Sequence, residues 1–127
     1  MMLAFWLSGF LALSGHMAPT NSPPADLEPA IRERLEGLLR DPNSAEITIT
    51  RGPRQATIPA DVRPMVGVAV CARINAKNGY GAYTGSEPWV FVWGSNAERS
   101  WINAIQVSRL RSADRAAMTA ECEHPAD

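Results

Sequence analysis

Apolar residues recur at helical spacing at Leu27, Ile31, Leu35, Leu38 and Leu39, and this predicts a helix from about Leu27 to Arg40. Pro29 suits its first turn, where a missing N–H costs nothing. Asp26, Glu28 and Glu33 place negative charge near its start, which the helix dipole favours. Asp41-Pro42 should end it, because the residue before a proline is pushed out of the α region. Glu46-Ile47-Thr48-Ile49-Thr50 alternates polar and apolar and reads as a strand with one face buried. Gly52-Pro53 is expected to break that strand, and residues 54–64, with Pro59 and Pro64, to form a loop or irregular edge segment. A longer strand follows from Val66 to Ile74, whose small residues predict close approach of a neighbouring helix. Asn78-Gly79 is a strong turn dipeptide. Trp89 to Trp93 is apolar at both parities, as in a strand covered on both faces, and alternation puts Trp89, Phe91 and Trp93 on one side. Trp101, Ile102, Ile105 and Val107 fit either period, with a strand from Trp101 to Val107 preferred. Ser112 then resembles the N-cap of a helix from Ala113 to about Glu123, in which Ala116, Ala117, Met118 and Ala120 favour helix on propensity.

The first charged side chain of the 127 residues is Asp26. Residues 1–15 are apolar apart from two serines, and are shorter than the roughly 20 residues that cross a bilayer comfortably. They fit the apolar core of a signal peptide, with Ala12-Leu13-Ser14 as the best cleavage site, although no Lys or Arg precedes the run. The alternative is an uncleaved membrane anchor, which would be the chain's only contact with a membrane. Leu11-Ala12-Leu13-Ser14-Gly15-His16 looks like a bacterial lipoprotein signal with His16 in place of the acylated cysteine, so no acyl acceptor is present there. Residues 16–26, rich in proline, read as a spacer, which leaves a single domain at 27–124.

An exported chain with two cysteines predicts one disulfide, Cys71–Cys122. In a reducing cytosol the same residues would be two buried thiols. The expected fold is α+β: an N-terminal helix packed on a small, mostly antiparallel sheet, with a C-terminal helix tethered by the disulfide. The charge balance of 12 basic and 13 acidic residues, without a basic cluster, argues against a nucleic-acid partner.

Asp41, Pro42, Ser44 and Ala45 form an Asp-Pro-x-Ser-Ala element, and Cys71, Asn75, Lys77, Asn78, Gly81, Tyr83 and Gly85 form a second, followed by Pro88 and Trp89. Together they resemble a family of small exported bacterial proteins, often lipoproteins, of uncharacterised function, which has both elements and then proline and an aromatic residue. Ala72 departs from the family's usual glycine. The resemblance spans roughly residues 35 to 93 and implies export, but no activity.

The loop from Asn75 to Gly85 admits two readings. In one, Gly79, Gly81 and Gly85 supply positive φ, while Asn75 and Asn78 bond to the backbone and the tyrosines pack over the turn. In the other, Asn75, Lys77, Asn78 and Tyr83 line a shallow site for a polar ligand such as an envelope glycan. Trp89, Trp93 and Trp101 likewise read as core or as a sugar-stacking platform. Nothing in the chain points to a cofactor: no glycine-rich nucleotide loop is present, and Cys71, Cys122 and His124 fall short of the four ligands of a structural zinc site. A Cys71–His124 nucleophilic pair would need a free thiolate and a held imidazole. Carboxylate chemistry would fall to Glu46, Asp61, Glu87 or Glu98, which share no motif. The leading expectation is therefore a non-enzymatic binding or structural domain of the cell envelope, its partner an envelope protein or glycan. The alternatives are a small envelope hydrolase with a carboxylate near the glycine-rich loop, and a secreted enzyme inhibitor that inserts this loop.

Overall fold

The computed structural model describes residues 23–58, 65–95 and 98–123. The proposed signal segment, most of the spacer, and the candidates Asp61 and His124 lie outside the described residues. The fold is α+β. Four antiparallel strands form a sheet in simple meander order: β1 (Glu46–Ile58), β2 (Met65–Asn75), β3 (Glu87–Ser95) and β4 (Ser100–Gln106). Helix α1 (Leu27–Leu35) precedes the sheet and helix α2 (Ser112–Glu123) follows it.

The register sorts the side chains onto two faces. Paired residues of adjacent antiparallel strands point the same way, so Val70 with Phe91, Ala72 with Trp89, and Trp93 with Ile102 share one face. Ile31 and Leu35 of α1 pack there, both fully buried. Ala69, Cys71, Val90 and Val92 point to the other face, where Met118 of α2 and Val107 join them. Trp89 and Phe91 stack with ring centroids 6.0 Å apart. β3 is apolar at both parities because each of its faces carries one of the two cores. The small Ala72 lies beside the Trp89 indole and Ala104 beside Phe91, so those small side chains accommodate aromatic rings. Of the small residues of β2, Ala69 and Cys71 share the core of α2 and Ala72 that of α1.

Three expectations need correction. The N-terminal helix expected over 27–40 ends at Leu35. Gly37 adopts φ of +85°, and the chain turns there with Leu38 and Leu39 N–H groups both donating to the Leu35 carbonyl. Leu39 still reaches the core, whereas Leu38 is exposed.

Gly52-Pro53 does not end β1, and 54–58, expected as loop, belong to the strand. β1 is an edge strand, so an unpaired backbone position can take the proline. One one-residue bulge precedes the pair and a second contains it: Ile49 opposes Ala72 but Arg51 opposes Cys71, and Arg54 opposes Ala69. Each extra residue switches the face that the following side chains occupy. Ile47 thus serves the α1 core, while Arg51, Arg54, Ala56 and Ile58 turn towards α2.

Asn78-Gly79 does turn the chain, but Asn78 is the first corner of the turn, with Gly81 N–H donating to its carbonyl at 3.0 Å. The positive φ values fall on Gly81 and Gly85 and not on Gly79.

α2 is tied to the sheet by the Cys71–Cys122 disulfide, with Cα atoms 5.8 Å apart. Met118 is its one fully buried side chain among those described. Arg51, 8 % exposed, donates to the Glu121 carbonyl at 2.9 Å, and Arg54 pairs with the Glu121 carboxylate.

Candidate functional site

The loop between β2 and β3 is fixed largely by its own side chains. Asn78 Oδ1 accepts the N–H of Tyr80 at 2.8 Å and of Ala82 at 3.2 Å. Asn75 Oδ1 accepts the Gly85 N–H at 3.1 Å. Asx side chains mimic a backbone turn in this way. Ser44, from the 3₁₀ turn Pro42–Ser44, anchors the loop from outside. Its hydroxyl accepts the Lys77 N–H at 2.9 Å and donates to the Asp41 carbonyl at 2.7 Å. The Tyr83 hydroxyl donates to the Ser44 carbonyl at 3.0 Å. The Lys77 ammonium lies 5.6 Å from the centre of the Tyr83 ring, within cation–π range. Residues 41–45 and the loop 75–85 therefore meet in space, with Ser44 as the junction.

A cleft of about 200 Å³ opens beside this loop. Ile74 and Trp89, buried members of the α1-side core, form part of its apolar lining with Leu38, Leu39 and Ala76. Arg40, from the segment after α1, lines one part, with Lys77 and Asn78 of the loop. Glu87 at the start of β3, Gln106 at the end of β4 and Arg109 beyond it complete the polar lining. Glu87 and Gln106 are half-buried, and the Gln106 amide donates to the Glu87 carboxylate. Arg109 sits on a 3₁₀ turn, Val107–Arg109, held by the buried Val107. A second, shallower hollow borders Arg40, Asn78, Gly79 and Tyr80. Tyr80, at the loop apex, is 96 % exposed.

Of the four loop residues proposed as ligand-binding, Lys77 and Asn78 line the cleft. Asn75 and Tyr83 hold the loop and its anchor from outside that lining. Of the four candidate carboxylates, Glu87 is in the cleft and Glu46 bonds Asn75 Nδ2 at 3.3 Å on the exposed edge. Glu98 is exposed at the β3–β4 connection.

The tryptophan platform is not formed. Trp89 and Trp93 are buried, and Trp101 is half-buried with its indole against Gly94. Both cysteines are spent in the disulfide, which removes the thiolate that a Cys71–His124 pair would use.

Arg40, Gln106 and Arg109 were invisible as site residues in the sequence. Arg40 depends on the early stop of α1. Gln106 and Glu87 meet through the β2–β3–β4 register, in which Glu87 pairs with Ile74 and Gln106 with Trp89. No local spacing encodes either. No family model, curated protein or solved structure matches the chain.

Proposed function

We propose that the protein is an exported, disulfide-stabilised binding domain of a bacterial cell envelope, with an envelope glycan or protein as its partner. The observation that carries this reading is a polar cleft, rich in cations and amides, beside a loop held rigid by its own asparagines. A fixed loop loses little conformational entropy on binding, which favours affinity. The disulfide is compatible with an oxidising compartment. No described helix is long and apolar enough to cross a membrane, and the apolar residues 1–15 supply the expected export signal.

The test has two parts. The full chain is expressed in a bacterium, and its intact mass from the periplasmic fraction is measured with and without reductant. Export with cleavage predicts loss of the first residues, and the disulfide predicts a gain of two hydrogens on reduction. Recovery of the uncleaved, reduced chain from the cytosol would remove the export reading. Purified cell-wall glycan is then sedimented with the protein, and retention that is lost on Lys77→Ala is the expected result.

A second reading, the envelope hydrolase, draws on one specific feature: half-buried Glu87 shares the cleft with Lys77. It requires turnover of a cell-wall substrate that disappears in Glu87→Gln. The inhibitor reading draws on exposed Tyr80 at the apex of the rigid loop. It requires capture of a purified lysozyme-like enzyme that fails with Lys77→Ala.

A further inference from the structure

We propose that the cleft binds an amino-acid-sized dicarboxylate carrying an N–H donor, with Arg40, Lys77 and Arg109 taking the carboxylates and Glu87 accepting the N–H. This rests on the binding-domain reading and names the ligand chemistry of that site.

Charge is the first argument. Three cations and one carboxylate line the cleft, a net charge of two positive units (three minus one). Among the described residues, neither Arg40 nor Arg109 forms an ion pair, and the Lys77 ammonium lies over the Tyr83 ring. Cations gathered in one concavity without internal neutralisation repel one another, and an anion entering it relieves that repulsion. Guanidinium groups match carboxylates through two parallel N–H donors, a geometry favoured over a point charge.

Hydrogen bonding is the second argument. The Gln106 amide donates to the Glu87 carboxylate and holds it in place. A carboxylate has more acceptor positions than one amide fills. Placed among cations, it would weaken binding of a simple anion unless the ligand brings a donor to it. A ligand with two carboxylates and an N–H satisfies all four charged groups, whereas phosphate or a plain dicarboxylate leaves Glu87 repelling it.

Size is the third argument. About 200 Å³ is below the roughly 300–1,000 Å³ of pockets for drug-sized ligands. It fits a single acidic residue. That residue can be a free N-acylated amino acid or the C-terminal residue of a peptide.

The experiment is isothermal titration of the full-length protein with N-acetyl-glutamate, with a short peptide ending in glutamate, with glutarate and with inorganic phosphate. The four are repeated on R40Q, R109Q and E87Q, whose folding is checked by thermal unfolding. The expected result is binding of one or both N–H-bearing probes, weakened about tenfold or more by R40Q and by R109Q, as for loss of a charge-assisted hydrogen bond. The same probes should bind more weakly to E87Q, while glutarate and phosphate bind E87Q more tightly than wild type. Tighter binding of the peptide than of N-acetyl-glutamate would assign the site to a chain terminus, and the reverse to a free metabolite. No binding of either N–H-bearing probe, binding untouched by R40Q and R109Q, or glutarate and phosphate matching those probes on wild type would overturn the proposal. Sedimentation with cell-wall glycan separates the two levels. If R40Q and R109Q are retained like wild type while the titrations fail, the cleft proposal falls and the binding domain stands.

Discussion

Ser44 shows how much structure one small side chain can organise. Its hydroxyl serves Asp41 and Lys77, and its carbonyl serves Tyr83, so the 3₁₀ turn and the long loop become one unit. Within the loop, Asn78 has a comparable role. Asn78→Ala removes the acceptor of two backbone N–H groups, which are exposed and can turn to water instead. The cost to global stability is therefore about 1 kcal/mol or less, while the Tyr80 and Ala82 amides should exchange with solvent markedly faster. Unchanged exchange would mean that the backbone bonds, from Gly81 N–H to Asn78 and from Asn78 N–H to Ala82, hold the turn by themselves. Gly94 makes the opposite kind of demand. A Cβ there would lie 2.6 Å from the Trp101 indole, its cross-strand partner. Gly94→Ala should destabilise by about 1–3 kcal/mol, as overpacking does. In urea titrations Trp101→Ala in the same chain should recover part of the loss; additivity of the two changes would refute the contact.

At the level of elements, α1 and α2 are held by different physics. α1 buries Ile31 and Leu35 completely, and Arg34 reaches across to donate to the Ile102 carbonyl at 2.9 Å, on the outer edge of β4. That bond occupies part of an edge that would otherwise be open to a passing strand. α2 has one fully buried side chain, Met118, and depends on its sulfur link, Arg51 and Arg54. The link closes 51 residues of sequence. Its removal in Cys71→Ala/Cys122→Ala should cost about 4 kcal/mol in the chain-entropy account. Hydrogen exchange should show the loss first in α2, with β2 and β3 still protected. Equal loss throughout would mean that α2 is docked as firmly as α1.

For the whole molecule, the decisive feature is that two cores share one sheet. β2 and β3 contribute to both, so neither face can be lost without disturbing the other. Phe91→Ala should cost about 3–5 kcal/mol, a large part of the roughly 5–15 kcal/mol total typical of a domain. Urea unfolding of wild type and Phe91→Ala should still be a single step, with tryptophan fluorescence and far-ultraviolet dichroism coincident. Separate transitions would show that the two faces melt independently.

Periodicity located the first helix and three strands, because burial on one face or two writes itself into spacing that a linear reading can see; the last strand fitted either period, and the second helix was read from Ser112 and alanine propensity. The aromatic triplet Trp89, Phe91 and Trp93 lies on one side of β3, and the two cysteines of an otherwise thiol-free chain found each other. The early end of α1 was not legible, since Leu38 and Leu39 continue the helical pattern while Gly37 takes φ of +85°. Nor was the passage of β1 through Gly52-Pro53, which an edge position and two bulges permit. Lys77, Asn78 and Glu87 could be named as candidates from the sequence, but the cleft that gathers them belongs to tertiary structure. Arg40, Lys77 and Glu87 come from three separate stretches and Gln106 and Arg109 from a fourth, and only the packing of the chain brings them together. Local sequence carries period and turn chemistry; which distant charges face one another depends on how the chain packs in three dimensions.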